Sequence, residues 1–299
     1  MTALRTAHTH AAPTHPGRRT GRAQRSLAVG AAVLAIPYFA LKVVWLSGSR
    51  IGIQDADFGR SVVMHVLNGA TLGLDLAVFA LAFVFYRGVR PPTPLVTAPM
   101  WIGYGLLGQI LLLIVPSALL QPAPSEGAAP EPIAGWVYAV VYTGFCGIGL
   151  CLLPAFALYA RNRWGQDWSR PLKSLAKRPV PRVTTGLTAI VVLALTGYGA
   201  TRGELLDGIG WLTDAALGAL AVLALLALAR GMTGLPRWTA LLAMFAGSGA
   251  WVAWGVYSLV LELVPNDLTS GPSSAAPVIL NAAKVVAGLA LARMIRRRA

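Results

Sequence analysis

The sequence predicts an all-α protein, a polytopic transmembrane bundle of about eight helices, from three observations. Of its 299 residues, 56% are hydrophobic and only 12% are charged, and the mean hydropathy is +0.64. Long apolar runs alternate with short polar connections after residue 25. The basic residues are concentrated in every second connection. So little charge cannot cover a soluble protein of this length, and composition excludes that class.

The apolar runs define the helices, since crossing about 30 Å of hydrocarbon takes about 20 helical residues. Runs of that length predict transmembrane helices over 26–48, 66–86, 98–120, 134–160, 183–200, 209–229, 239–264 and 276–294. The chain then divides into a disordered basic tail (1–25), a first four-helix unit (26–160), a basic loop (161–182) and a second four-helix unit (183–299).

Charge in the connections predicts the orientation. One side of the bundle receives the arginine-rich tail, the basic loop and the C-terminus, whereas the other side receives only Arg50, Arg60 and Arg202 as basic residues. Acidic residues show the reverse distribution, with only Asp167 on the basic side. The positive-inside rule therefore predicts that both termini are cytoplasmic in a bacterial plasma membrane. The basic tail and loop would then face anionic lipid.

Away from the span ends, four ionisable side chains fall inside the predicted spans, namely Lys42, Asp75, Asp214 and Lys284. Inserting each alone at a helix centre costs about 2.5 to 3.5 kcal/mol, so each needs a partner, a cavity or a neutral state. Lys42 and Asp75 lie about 9 and 13 Å below the outer ends of their helices, at about 1.5 Å per residue. Asp214 and Lys284 have similar depths.

Two interpretations of these charges are compatible with the sequence. They form a polar cavity for a ligand, an ion or a proton relay, or they form two interhelical ion pairs that fix helix packing. Gln109 and Asn281 add uncharged polar groups to the same layer. Lys42 also has a third option, which is to extend along its helix to the interface and leave Asp75 protonated.

The two halves share a pattern that predicts a parallel 4+4 duplication. Each half contains an aspartate, an apolar run, an Arg-Gly pair, a Pro-bearing loop and a helix with a glycine near its start. The matching residues are Asp75 and Asp214, Arg87 and Arg230, Gly88 and Gly231, and Gly103 and Gly247. The second half carries one more helical turn before its Arg-Gly pair.

The first helix and the loop after it carry a further pattern, which consists of Pro37, Tyr38, Leu41, Lys42, Trp45, Gly48 and Gly52. It resembles a first-helix pattern of uncharacterised multi-pass membrane proteins of actinobacteria. The resemblance covers about a tenth of the chain. It implies neither an activity nor a ligand, but it favours a role for Lys42.

No motif predicts an enzyme, a cofactor or a nucleic-acid partner. The sequence lacks a P-loop, a dinucleotide fingerprint and a zinc-protease motif. His65, near Asp55 and Asp57, is the only candidate for acid–base chemistry at the membrane surface, and an incidental interfacial histidine is the commoner case. Cys146 and Cys151 are five residues apart, so they point to different faces of a helix and match no zinc spacing.

The sequence therefore predicts a non-enzymatic integral membrane protein. A permease-like or ligand-sensing role is the first hypothesis. The alternative is a structural or accessory subunit that packs against another membrane protein or a second copy of itself, and a lipid-modifying enzyme comes third. Buried charges around a water-filled cavity would favour the first hypothesis. Closed charge pairs and an exposed small-residue face would favour the alternative.

Overall fold

A computed structural model describes residues 21–120, 131–172, 180–203, 205–232, 234–268 and 274–298. These residues form an all-helical bundle, as predicted, and contain eight helices long and apolar enough to cross a membrane. The chain is therefore an integral, multi-pass membrane protein. Most of the predicted N-terminal tail lies outside the described residues.

The helices follow one another along the chain with short connections. They are α1 (Arg22–Leu46), α2 (Val62–Arg87), α3 (Thr93–Leu120), α4 (Gly135–Trp168), α5 (Arg182–Ala200), α6 (Leu205–Ala229), α7 (Arg237–Leu263) and α8 (Ala275–Arg298). We call the end of the bundle that holds the α1–α2, α3–α4, α5–α6 and α7–α8 connections the outer end, following the predicted orientation.

Helix ends follow local sequence signals. The Ser61 side chain accepts a hydrogen bond from the Met64 N–H and so caps the start of α2. Gly88 ends α2 and Gly231 follows α6, and both adopt the left-handed conformation, with φ of 67° and 60°. That conformation costs glycine nothing. The two Arg-Gly pairs of the sequence pattern therefore end their helices in the same way.

Several helices are longer than predicted at the end opposite the outer end, and α1 and α4 are two of them. α1 begins at Arg22, so residues 22–25 are helical and not part of a disordered tail. α4 continues to Trp168, beyond the predicted end at residue 160. The predicted 161–182 loop therefore begins as two further turns of α4. A span predicted from hydropathy ends at the first charged residues. The helix itself can continue beyond them when its polar side chains have hydrogen-bond partners.

Arg163 shows how the α4 extension is held. Its guanidinium donates to the carbonyl of Pro91 at 2.7 Å and to the Tyr159 hydroxyl at 2.7 Å, and it stacks on Trp164 at 4.9 Å from the ring centroid. Tyr159 in turn donates to the carbonyl of Val89. The extension is thus tied to the turn between α2 and α3.

The helices pack into two groups that are joined mainly by one helix pair. α1 packs against α2 and α4, whereas α7 packs against α8 and α6, and α5 packs against α6. α3 packs mainly against α7 and only slightly against α2. The α3–α7 contact, which we call the seam, therefore joins the two halves of the chain.

The connections at the outer end contact each other. Ile53 and Ile133 form an isolated β-bridge between the α1–α2 loop and the segment before α4. Asp267, just after α7, accepts hydrogen bonds from the Gly59 N–H at 2.8 Å and the Ser61 hydroxyl at 3.2 Å. The α1–α2 loop therefore links the outer ends of both halves.

Candidate functional site

The first buried charge pair joins α1 to α2. Lys42 Nζ lies 2.8 Å from Asp75 Oδ2, and the exposed fractions of the two side chains are 0% and 6%. Lys42 Nζ also lies 3.9 Å from the centroid of the Tyr38 ring, which contacts Phe145 of α4 edge-on. The ammonium is thus held by a carboxylate and an aromatic face, and Lys42 does not extend to the interface.

Residues of the first-helix pattern shape the chain directly above this pair. The Trp45 indole N–H donates to the carbonyl of Ile51 at 2.8 Å, which folds the loop back on α1. Gly48 and Gly52 have φ of 95° and 78°, a conformation that other residues rarely adopt. The pattern therefore describes the end of α1 and the tight loop that follows it.

The second pair lies in the other half of the chain and has more partners. Lys284 Nζ of α8 lies 2.6 Å from Asp214 Oδ2 of α6. The Gln109 side-chain amide of α3 donates to the other oxygen of Asp214. The Trp251 indole N–H of α7 donates to the Asp214 backbone carbonyl at 2.8 Å. Four helices therefore converge on Asp214.

Asn281 lies one helical turn from Lys284, toward the outer end of α8. Its side-chain amide nitrogen donates to Glu262 Oε1 at 2.9 Å. Glu262 is in the last turn of α7, and from the sequence it was counted only among the acidic residues of the outer side. Sequence reasoning therefore missed Glu262 as a site residue. We call Gln109, Asp214, Glu262, Asn281 and Lys284 the polar column.

The four charges do not line a common cavity. Lys42 pairs with Asp75 and Lys284 with Asp214, and no hydrogen bond or ion pair among the described residues connects the two pairs. An open groove of about 430 Å³ lies between α5 and α8. Its lining is apolar apart from a tyrosine and a threonine, and consists of Ala194, Gly197, Tyr198, Thr201, Ala276, Ile279 and Leu280.

The sequence did not predict a further polar contact, at the end of the bundle opposite the outer end. Gln24 of α1 is buried, and its amide donates to the Phe85 carbonyl of α2 at 2.8 Å. Its oxygen accepts from the Asn162 amide of α4 at 3.0 Å. This residue thus joins the same group of helices as Lys42, at the opposite end. A glutamine near a predicted boundary is too common to be singled out.

The remaining candidates stay apart from one another. His65 Nδ1 lies 3.0 Å from the carbonyl of Ser61, one turn earlier on the chain, whereas Asp55 Oδ1 accepts from the Asp57 backbone N–H. Cys146 and Cys151 are free thiols. Within the described ranges, no three His, Cys, Asp or Glu side chains are grouped closely enough to hold a metal ion.

The described site is thus two ion pairs in separate halves of the chain, one closed and one extended by a polar column. The first can fix helix packing, and the second in addition leaves two acceptor oxygens, Glu262 Oε2 and Asn281 Oδ1, without a donor among the described residues. No protein-family model matches the chain, and neither a curated protein nor a solved structure matches it.

Proposed function

We propose that the chain is a non-catalytic structural subunit of the membrane that assembles with a second copy of itself through α2. The carrying observation is one exposed face of α2. Gly69 and Gly73 lie there one turn apart, and a Cβ added to either would meet nothing within 4 Å. The face follows helical spacing, and its exposed residues are Val62, Val66, Gly69, Gly73, Leu76, Ala80 and Phe83.

Glycines elsewhere in the bundle support this use of the α2 face. A Cβ added to Gly288 would lie 3.0 Å from the Ser248 carbonyl, and one added to Gly247 would lie 2.8 Å from the Leu217 carbonyl. In a membrane, small residues let helix backbones approach closely, and two glycines four residues apart are typical of helix pairs. Gly69 and Gly73 have this spacing, but among the described residues no helix lies against them.

A second copy of α2 fits this face because of the membrane itself. Two copies of one chain have the same orientation, so their α2 helices run parallel and Gly69 and Gly73 of each lie at the same depth. A two-fold axis along the membrane normal then brings identical faces together. A helix of a different protein would need its own small residues at that depth.

The ion pairs are consistent with a structural role. The Lys42–Asp75 pair is closed and buried, and its loss would uncouple α2 from α1. Because α2 packs mainly on α1, this pair fixes the rotation of α2 and hence the direction of its glycine face. The hypothesis of a permeation path through a common charged cavity has less support.

The test uses the full chain in lipid nanodiscs and counts copies by single-molecule photobleaching. The wild type should form dimers, and Gly69→Leu with Gly73→Leu should give folded monomers, because an added Cβ meets nothing within 4 Å at either position. Gly186→Leu on α5 is the matched control, since an added Cβ there also meets nothing within 4 Å. That variant should remain dimeric.

Three results would overturn the proposal. The first is a monomeric wild type, and the second is a doubly substituted variant that still forms dimers. The third is a different membrane protein that copurifies with the wild type and is lost with the double substitution, because the occupant of the face would then not be a second copy.

Ligand sensing is the second candidate function, and one observation favours it. Glu262 and Asn281 each have a buried oxygen without a hydrogen-bond donor among the described residues. A purely structural contact would be expected to satisfy both atoms.

A further inference from the structure

Glu262 and Asn281 form one hydrogen bond, and each has a second oxygen without a partner among the described residues. Asn281 Nδ2 donates to Glu262 Oε1 at 2.9 Å. The second oxygen of each group, Glu262 Oε2 and Asn281 Oδ1, is buried and has no partner among the described residues. The Asn281 side chain belongs to a residue that is only 1% exposed. Water therefore has little access to its free oxygen.

Glu262 Oε2 and Asn281 Oδ1 each lack a hydrogen-bond donor among the described residues. An ionised carboxylate offers only acceptors, and the oxygen of an amide is also an acceptor. A proton on Glu262 Oε2 turns that atom into a donor. A protonated carboxyl and a primary amide then have complementary edges, with the amide N–H on the acid carbonyl and the acid O–H on the amide oxygen. A single proton thus satisfies both oxygens.

The charge balance of the polar column leaves room for an added proton on Glu262. Lys284, one turn further into α8, is a cation that favours the ionised form of Glu262, but it is paired with Asp214 of α6 at 2.6 Å. Gln109 of α3, which donates to Asp214, is the uncharged member that α3 contributes to the polar column. Asp267, after α7, is bonded to the α1–α2 loop. Two carboxylates and one ammonium leave the polar column with a charge of −1, which protonation of Glu262 removes.

The Lys42–Asp75 pair lacks these features. It carries no net charge, and neither of its side chains has an unpartnered buried atom among those described. A binding site is therefore indicated at the α7–α8 pair alone. Because Glu262 is the penultimate residue of α7, a ligand reaches it from the outer aqueous phase.

We propose that Glu262 and Asn281 form a proton-binding site at the outer end of α7 and α8. A hydronium ion of the outer phase transfers its proton to Glu262 Oε2 and leaves as water, and the new O–H donates to Asn281 Oδ1. Binding neutralises the polar column and joins α7 to α8 by two hydrogen bonds. The packing of α7 against α8 thus depends on the proton concentration of the outer phase.

The test is infrared difference spectroscopy of the full chain in nanodiscs during a step from high to low pH. Only four glutamates occur in the sequence. Replacing Glu126, Glu131 and Glu204 by glutamine and labelling glutamate with ¹³C leaves Glu262 as the only labelled side-chain carboxyl. The labelled protein should gain the carbonyl band of a protonated acid and lose a carboxylate band. A labelled carboxylate that stays ionised at low pH would overturn the proposal.

Glu262→Gln provides an independent readout. Its amide can face Asn281 edge to edge without a proton, so this variant should be as stable as the protonated wild type. It should also lose the rise in thermal midpoint that the wild type shows on acidification. Asp267→Asn, which removes a carboxylate of the outer connection, is the control and should keep that rise.

Sodium ions are the competing ligand. With NaCl replaced by choline chloride, the acid-dependent stabilisation of the wild type should be unchanged. Saturable stabilisation by sodium at constant high pH, lost in Glu262→Gln, would overturn the proposal in favour of a metal-cation site. A wild type whose midpoint does not respond to acid would also overturn it.

Discussion

Gly105 of α3 and Gly249 of α7 lie against each other with no side chain between them. A Cβ added to Gly105 would lie 2.6 Å from the backbone nitrogen of Ala250 and closer still to the Gly249 carbonyl. A Cβ added to Gly249 would lie 3.2 Å from Trp101 Cδ1. Lipid supplies no hydrophobic drive for helix association, so the seam depends on this close backbone approach.

The first prediction concerns the seam. Gly105→Ala should destabilise the protein by about 1 to 3 kcal/mol, the usual cost of overpacking, because backbone atoms must move. Gly103→Ala is the control on the same helix, where an added Cβ meets nothing within 4 Å. It should be neutral or stabilising by up to about 1 kcal/mol. Thermal unfolding in detergent measures both, and equal effects would mean that the seam is not tightly packed.

The seam contacts also follow the repeated sequence pattern. With Gly103 aligned to Gly247, the equivalent positions are Trp101 with Phe245, Tyr104 with Ser248, and Gly105 with Gly249. The Trp101 indole donates to Ser248 at 2.8 Å, and the Tyr104 ring contacts the Phe245 ring at 6.1 Å between centroids. The Trp101–Ser248 contact and the Phe245–Tyr104 contact therefore join equivalent positions of the two halves. Such paired contacts are expected for a two-fold axis along the membrane normal.

Away from the seam the halves differ. Asp75 receives its lysine from α1, the first helix of its unit, whereas Asp214 receives its lysine from α8, the fourth helix. α6 packs on α7, but its counterpart α2 is nearly separate from α3. A duplication of all four helices therefore stays a prediction, and the two-fold relation is found at the seam.

The second prediction concerns orientation, which follows from the loop charges. Ala56→Cys and Ser169→Cys would place thiols at exposed positions at opposite ends of the bundle, in a background with Cys146 and Cys151 changed to alanine. A membrane-impermeant maleimide on intact cells should label position 56 and not position 169, which should react only after lysis. The reverse pattern would invert the topology.

The sequence predicted the helices well, and it singled out the buried charges, for a physical reason. Hydrocarbon requires about 20 apolar residues per crossing and penalises each unpaired charge, so both leave a strong local signal. Lys42 and Asp75 have similar depths on consecutive helices, and consecutive helices usually pack together. Their contact could therefore be expected from the sequence alone.

The partners of Asp214 could not be predicted in the same way. Gln109 and Lys284 are 105 and 70 residues away in sequence, and which helices contact each other depends on tertiary packing and not on hydropathy. Glu262 lies so close to a helix end that its charge is indistinguishable from that of a loop residue. The free glycine face of α2 depends on the rotation of that helix, which the sequence does not reveal.

The third prediction is a double-mutant cycle at Lys42 and Asp75. Asp75→Leu or Lys42→Leu alone strands a buried charge and should cost about 3 to 5 kcal/mol, whereas the double substitution should be close to neutral. The unfolding free energies of the four proteins in detergent give the coupling energy directly. Losses that add within about 0.5 kcal/mol would show that the two residues do not interact energetically.

The fourth prediction distinguishes the second pair from the first. Asp214→Leu with Lys284→Leu removes both charges but leaves the buried Gln109 amide without its acceptor. An unsatisfied buried donor costs about 1 to 3 kcal/mol, so this double variant should remain destabilised where the Lys42 and Asp75 double variant does not. Trp251 is not affected, because it donates to the backbone carbonyl of residue 214, which the substitution keeps.

Gln109→Leu should therefore have opposite effects in two backgrounds. In the wild type it removes a hydrogen bond to the Asp214 carboxylate and should cost about 1.5 to 3 kcal/mol, since bonds to charged groups are the stronger ones. In the Asp214→Leu, Lys284→Leu background it removes a stranded amide and should recover most of the loss. Unfolding free energies in detergent measure both changes. If Gln109→Leu destabilises both backgrounds equally, the amide acts through packing alone and not through Asp214, because only a contact with that carboxylate can change the sign of the effect.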